Sequence, residues 1–268
     1  MPVSVAPWPP FMLNISVIMP TLNEATNLPA RAGELAAQPG PWEWIVADGG
    51  STDGSVAVAR ALGATVVFGD PGRGPQLNAG AAHAVGDVFM FLHADTALPH
   101  DAFLQMRAAL RDPAIVGGNF TFAFDDDSFS GRVLSLVYAA KRTLFRVWYG
   151  DSALFVRATT FAELGGFAPY PILEDAHFVE RLKRIGRTRR LDAVVTSSPR
   201  RYRGRVIETI VRWTTIFALY KVGVSPHRLA RFYAPHGSRA TGSRAAEASR
   251  ADHVAGEAPR EPVSSACE

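Results

Sequence analysis

Four short apolar runs, each leading into a polar turn and then a helical pattern, organise the first half of the chain. They are "ISVIM" (15–19), "WEWIVA" (42–47), "GATVVF" (63–68) and "DVFMFLHAD" (87–95). The intervening segments read as helices over Leu28–Gln38, Thr52–Leu62 and Gln76–Val85, and another follows over Pro99–Arg111. Strands that alternate with helices of about ten residues predict an α/β fold. The sheet is Rossmann-like and mostly parallel, with right-handed crossovers and helices on its faces. Pro20 closes the first run, and "TLNEATN" offers helix-capping side chains after it.

The second half changes character. "GGNFTFAF" alternates with period two, as a half-exposed strand does. Phe129–Trp148 reads as a long helix, "SALFVR" as a short strand, and "ATTFAELGGF" as a helix closed by glycines. "DAHFVERLKRIG" reads as a helix ending at Gly186, "RRLDAVVTSS" as a last strand, and Ile207–Val222 as a helix apolar over most of its surface. We expect a short extension over 1–13 and one domain over 14–235. That domain divides near Asp95 into a first half (14–95) and a second half with its C-terminal helix (96–235). Residues 236–268 carry almost no large apolar side chains and are expected to be disordered.

Composition narrows the class. With 268 residues and 47% apolar content, the chain suffices for one sizeable core. Its one cysteine, Cys267, excludes a disulfide framework or a CxxC metal site. The N-terminus has no basic segment before an apolar stretch, and no run reaches the roughly 18 apolar residues of a membrane span. A cytoplasmic protein is expected, with peripheral contact at the inner membrane face as an option. The net charge of +3 is unevenly placed: Arg181–Arg190 and Arg200–Arg212 are both rich in cations. These read either as solvated faces or as attractors for a diphosphate or an anionic lipid surface. No aromatic-basic pattern suggests nucleic acid.

Ligands of open α/β sheets bind beyond the carboxyl ends of the strands. Three polar turns lie at such ends: "PTLNEA", "DGGSTDGS" and "HADT". Asp48 and Asp53 are suited to accept hydrogen bonds from a base edge or ribose hydroxyls; the alternative is a tight turn with Ser51, Thr52 or Asp53 as N-cap. Asp95 is placed to hold Mg²⁺ or Mn²⁺ together with diphosphate oxygens, with His93 on the same side of its strand. The competing reading makes Asp95 a turn cap and His93 a core residue. In "GDPGRGPQLNAGA", Arg73 and Asn78 stand near a helix start, where a phosphate oxygen would be welcome. A solvated loop is the alternative. Glu174 and Asp175 open the helix in "PILEDAHFVERL", either as simple dipole partners or with one of them as a general base.

The ordered set "SVIMPTLNEATNL", "IVADGGSTDGS", "GRGPQLNAGA", "FLHADT", "GDSALFVRATTFAELGGF" and "LEDAHFVERLKRIGR" resembles the family 2 inverting glycosyltransferases of the A-type nucleotide-sugar-binding fold. The likeness covers roughly 15–198 and is strongest to a small soluble bacterial subgroup often encoded near radical-SAM proteins. It implies that Pro20, Leu22, Glu24 and Asp48 line a nucleoside pocket with Asp53 nearby, and that Arg73 faces the nucleotide. Asp95 matches the last acid of the family's DxD metal motif. Asp175 matches the catalytic base, with Glu174 as the alternate. Gly150 and Asp151 sit where the family shapes the sugar and acceptor pocket. The implied donor is a nucleoside-diphosphate sugar of the UDP or GDP type, with Mn²⁺ or Mg²⁺.

His93 departs from the pattern by replacing the first acid of DxD. The QxxRW motif of processive relatives is missing as well, so the expected transfer is non-processive. Two rivals compete. A nucleotidyltransferase acting on a sugar phosphate would carry a glycine- and cation-rich loop after its first strand, which "PTLNEATN" is not. A catalytically inactive nucleotide-sugar-binding protein draws support from His93. Finally, Trp213, Phe217 and Tyr220, flanked by Arg205, Arg212 and Lys221, either pack on the core or lie in a membrane interface. The latter would favour a lipid or isoprenoid acceptor.

Overall fold

The computed structural model describes residues 12–70, 72–126, 128–145, 148, 150–197 and 205–232. The expected tail and most of the expected N-terminal extension lie outside these residues, as do Cys267, Arg200, Arg201 and Arg203.

One eight-stranded sheet runs through both halves. Its strands are β1 (Ile15–Thr21), β2 (Trp42–Asp48), β3 (Thr65–Phe68), β4 (Val88–Phe91), β5 (Thr96–Ala97), β6 (Ile115–Phe124), β7 (Leu154–Arg157) and β8 (Arg187–Ser197), in the spatial order β3-β2-β1-β4-β7-β6-β8-β5. The first four strands are mutually parallel, with Thr21 beside Asp48 and Ile18 beside Phe91. β7 then runs antiparallel to both β4 and β6, and β6 is parallel to β8. The helices are α1 (Leu28–Ala36), α2 (Ser55–Ala61), α3 (Arg73–His83), α4 (Ala102–Ala109), α5 (Phe129–Phe145), α6 (Ala158–Leu164), α7 (Glu174–Ile185), α8 (Val206–Lys221) and α9 (Pro226–Leu229).

Side-chain alternation along the strands sorts the core into two layers. Val17 and Met19 of β1 join Val46, Val88 and Met90 against α1, α4 and α5. Ile18 faces the other way, with Phe89, Phe91, Leu154 and Val156 against α3, α6 and α7. Both faces are covered, which is why the strands read as unbroken apolar runs. In the second layer Phe161 and Phe167 each stack on Phe91 and Phe178 at centroid distances of 4.6–5.5 Å.

Several elements depart from expectation for local reasons. β4 ends at Phe91, four residues early. Its partner β1 continues beyond Ile18 while the chain leaves at Leu92 and turns at His93, whose carbonyl accepts from Thr96 N–H at 3.1 Å. α3 begins at Arg73 rather than Gln76, because Pro75 fits a first turn, where its missing N–H needs no partner. α2 begins at Ser55 with Gly54 as N-cap, so none of Ser51, Thr52 or Asp53 holds that position. On α8, Trp213 packs against the first layer, Phe217 is buried, and Tyr220 donates to Glu180 Oε2 at 3.3 Å. Of the two readings of these aromatic residues, engagement with the protein is the one observed. Ile207, Val211 and Val222 form the outward stripe instead.

Candidate active site

The C-terminal ends of the parallel strands β1, β2 and β4 open on one edge of the sheet. There the turns after β1 and β2 are stitched into a single floor. Asp48, 1% exposed, folds its own turn: Oδ1 accepts from Gly50 and Ser51 N–H, both at 2.9 Å, and Oδ2 accepts from the Ser51 hydroxyl. Asp53 reaches across the seam, accepting from Ala25 N–H at 3.0 Å and from Ser55 N–H and hydroxyl. The Ser55 hydroxyl, with backbone donors, holds the Asp53 carboxyl below the usual carboxylate range. Asn23, in the left-handed region at φ 57°, accepts from Thr52 N–H at 2.8 Å and donates its own N–H to Ser51. Leu22 is exposed on this floor, Pro20 is half-buried beside Ala47, and Glu24 accepts from Asn27 Nδ2 at 2.5 Å.

The first turn of α3 joins this floor to a second group of residues. Gln76 Nε2 donates to the carbonyls of Thr21 and Ala47, both at 3.0 Å, and so pins the helix under the ends of β1 and β2. One turn earlier, Arg73 Nη1 lies 3.5 Å from Oε1 of Glu174. Asn78 turns elsewhere. Its amide donates to Phe167 O and accepts from Phe167 N–H, each at 2.9 Å. Both ends of its side chain tie α3 to the loop after α6.

The second group is acidic. Leu173 sits in the left-handed region at φ 63°, a strained conformation for a bulky residue, and it sets the direction in which α7 starts. The two acids that follow diverge. Asp175 Oδ2 accepts from Gly150 N–H at 2.6 Å, whereas Glu174 points at Arg73. Gly150 opens a 3-10 turn (Gly150–Ser152) that passes between the acids and the β4–β5 turn. A Cβ at Gly150 would stand 3.3 Å from Asp175 Oδ2 and 3.4 Å from His93 Nε2, so glycine permits the close approach. Asp151 accepts from the Tyr138 hydroxyl of α5. Burial pushes the Asp151 carboxyl up to about 7; Tyr138 and Arg73 oppose this, and Asp175 and Asp95 add to it. Burial likewise pushes Glu174 up, against the pull of Arg73. Asp95, half-buried in its turn, thus shares one field with Arg73, Asp151 and Asp175.

Tyr138, Gln76 and Asn23 are contributors that sequence reading did not single out, and Ser51 figured only as an alternative N-cap. Gln76 follows a proline in a helix's first turn, and Tyr138 falls on the apolar stripe of a helix, so neither carried a chemical signal of its own. Among the described residues, no three His, Cys, Asp or Glu side chains form a preformed metal cage.

The model of the family described as glycosyl transferase family 2 matches residues 16–170, more than half of the chain; it takes in the floor, Arg73, Asp95, Gly150 and Asp151 and ends short of Glu174 and Asp175. The chain belongs to glycosyl transferase family 2. Family membership makes it a glycosyl-transferring enzyme. A PGL/p-HBAD biosynthesis glycosyltransferase of Mycobacterium tuberculosis (strain ATCC 25177 / H37Ra) is 30% identical over 176 residues, covering 61% of this chain and 67% of that protein. Among solved structures, the mannosyltransferase PcManGT from Pyrobaculum calidifontis, in complex with GDP-Man and Mn²⁺, superposes with a TM-score of 0.63 at 19% identity. The match covers 97% of this chain and 80% of that one. Glucosyl-3-phosphoglycerate synthase from Mycobacterium tuberculosis, in complex with Mn²⁺ and UDP-Glc, gives a TM-score of 0.58 at 21% identity, covering 78% of each chain. These likenesses show the shared A-type glycosyltransferase fold.

Proposed function

We propose that this family 2 enzyme transfers a glycosyl group from a nucleoside-diphosphate sugar to an acceptor hydroxyl, with inversion and without processivity. The observation that carries the reading is the orientation of Asp175. Its carboxylate accepts from Gly150 N–H and acts together with Arg73 and Asp95 on Asp151, toward the edge where α/β folds bind ligands. Asp175 takes the proton of the acceptor hydroxyl. The oxygen attacks the anomeric carbon as the bond to the diphosphate breaks on the opposite face. A single displacement inverts the centre. Glu174, turned toward Arg73, is the weaker candidate for base.

The floor formed by the Asp48–Ser55 turn, Asn23 and Leu22 is assigned to the nucleoside, and Arg73 at the start of α3 to the diphosphate. Asp95 fits a hard divalent cation that takes its remaining oxygens from water and diphosphate: one carboxylate and no closed cage among the described residues is the donor set such a site needs. Bound there, Mn²⁺ or Mg²⁺ supplies positive charge to the departing diphosphate. GDP-Man and UDP-Glc in the solved relatives support a donor of either base. Family membership favours glycosyl transfer over the nucleotidyltransferase alternative.

A lipid or isoprenoid acceptor, met at the membrane surface, is favoured by the outward stripe of α8, where Ile207 and Val222 are 79% and 78% exposed beside Arg205 and Lys221. No helix among the described residues is long and apolar enough to cross a membrane. Release of UDP or GDP from UDP-glucose and GDP-mannose in the presence of Mn²⁺, without added acceptor, tests the donor reading. If neither nucleotide sugar binds or turns over, the reading fails.

A further inference from the structure

Glu174 is 2% exposed, and its Oε1 has no hydrogen-bond partner among the described residues. Arg73 approaches that oxygen at 3.5 Å, an ion pair longer than an ordinary hydrogen bond. The two partners are unlike in freedom. The Glu174 side chain is 3% exposed and clamped under the start of α3, where a Cβ on Gly74 would lie 3.6 Å from its Cβ and Cγ; the Arg73 side chain is 47% exposed. The charged groups acting on Glu174 are Arg73 from α3, which favours the carboxylate, and Asp175 from its own helix, which disfavours it. The backbone packed on it at Gly74 carries no titratable side chain.

We propose that Glu174 is the resting counterion of Arg73, and that it takes up one proton from solvent when Arg73 moves to the donor diphosphate, so that donor binding is coupled to protonation at a residue that does not touch the donor. This rests on the reading above that Arg73 meets the diphosphate.

A buried carboxylate cannot be left without its countercharge, so it either keeps the arginine or becomes the neutral acid. Keeping the arginine would deny the diphosphate a cation that is half in solvent at the mouth of the cleft. Becoming the acid is cheap here, because burial already raises the Glu174 carboxyl to about 7 with Arg73 present, and withdrawing Arg73 raises it further. The bond made is O–H on the carboxylate, and the proton comes from water or buffer. The sign follows. Below about 7 the group is protonated in both states and binding is insensitive to it. Above that value, up to the higher one of the bound state, binding takes up a proton and affinity falls as pH rises, by at most about tenfold per pH unit.

The test is calorimetric binding of UDP-glucose and of GDP-mannose with Mg²⁺, from about pH 6.5 to 8.5, in pairs of buffers of unlike ionisation enthalpy. Neither donor's diphosphate titrates in that range. The wild type is expected to weaken above about pH 7 and to show an uptake approaching one proton. Glu174→Gln is expected to remove the Glu174 share of both effects, leaving only what Asp151, which also loses the pull of Arg73, contributes. It is also expected to bind more tightly than the wild type at the alkaline end of the range, the opposite of what a merely damaged site would do. A pH-independent affinity with no proton uptake in the wild type overturns the proposal; that measurement needs no variant. A variant that keeps the wild-type slope overturns it as well. Absence of binding by both nucleotide sugars overturns the donor reading itself, and is thereby distinguished from binding without proton uptake.

Discussion

Gly150 N–H and Asp175 Oδ2 are 2.6 Å apart, and this contact joins the only 3-10 turn between β6 and α7 among the described residues to the mouth of α7. It aims one carboxylate of an adjacent pair and leaves the other to Arg73. Asp175→Asn keeps the size of the side chain and removes its basicity. Transfer or donor hydrolysis is expected to drop by about a hundredfold to ten-thousandfold, with affinity for UDP or GDP unchanged within about twofold. Initial rates and calorimetry on the same preparation check it, and a near-normal rate would remove Asp175 from the role of base.

Asp95 stands in a turn rather than at the end of a strand, and it acts electrostatically on Asp151. If it holds the divalent cation, Asp95→Ala should abolish the increase in UDP-glucose or GDP-mannose affinity that Mn²⁺ brings, while metal-free binding persists. An unchanged Mn²⁺ increment contradicts the assignment.

The strands of the first half were legible because both sheet faces are covered, so "ISVIM" and "VFMF" read as apolar without interruption. Boundaries were legible where a backbone rule acts, as at Gly186, and illegible where tertiary pairing decides, as at Phe91. The acids were found because charged residues at strand and helix ends are conspicuous. Their partners were not: Tyr138 reads as core, Gln76 as an ordinary helical residue, and the inward turn of Trp213 depends on the packing of α8 on α5, which no local pattern encodes. Asn78, a polar residue near a helix start, holds the scaffold through Phe167, a link between α3 and a loop nearly ninety residues on that no local pattern announces.

Whether Asn78 serves the scaffold or the nucleotide can be measured. Asn78→Ala strands the N–H and C=O of Phe167, and losing such a pair costs about 1–3 kcal/mol. Chemical denaturation should register that loss. Nucleotide-sugar affinity, measured well below the new midpoint, should stay within about twofold of wild type; a tenfold loss would restore Asn78 to the binding site.

Asp151 makes a signed prediction about stability. An aspartate carboxyl ordinarily titrates near 3.8, and burial in the fold raises this one to about 7. A folded-state value above the unfolded one means that the folded protein holds the proton longer, so this residue's contribution declines as pH climbs from about 4 to 7 and stays lost above. At about 1.4 kcal/mol per pH unit of window the ceiling is about 4 kcal/mol. Asp151→Asn, which can still accept from Tyr138, should therefore gain stability relative to wild type between about pH 5 and pH 8. Paired thermal melts at the two pH values check it; a constant difference would place the ionised carboxylate comfortably in the fold.

The two faces of α8 separate packing from membrane contact. Phe217 is 4% exposed, and Phe217→Ala should cost about 3–5 kcal/mol, as deletion of a buried aromatic does. Val211 is 58% and Ile207 79% exposed, so Val211→Asp and Ile207→Asp should shift stability by no more than about 0.5 kcal/mol. The same two changes put a carboxylate where an apolar stripe would meet lipid, between the cations Arg205 and Lys221. Flotation with vesicles containing anionic phospholipid should carry the wild type upward, less so as salt rises because the cations are screened, and should leave both variants at the bottom of the gradient. If the wild type stays at the bottom, or if the variants float with it, the outward stripe of α8 is no lipid-facing surface and the case for an acceptor delivered from the membrane falls with it.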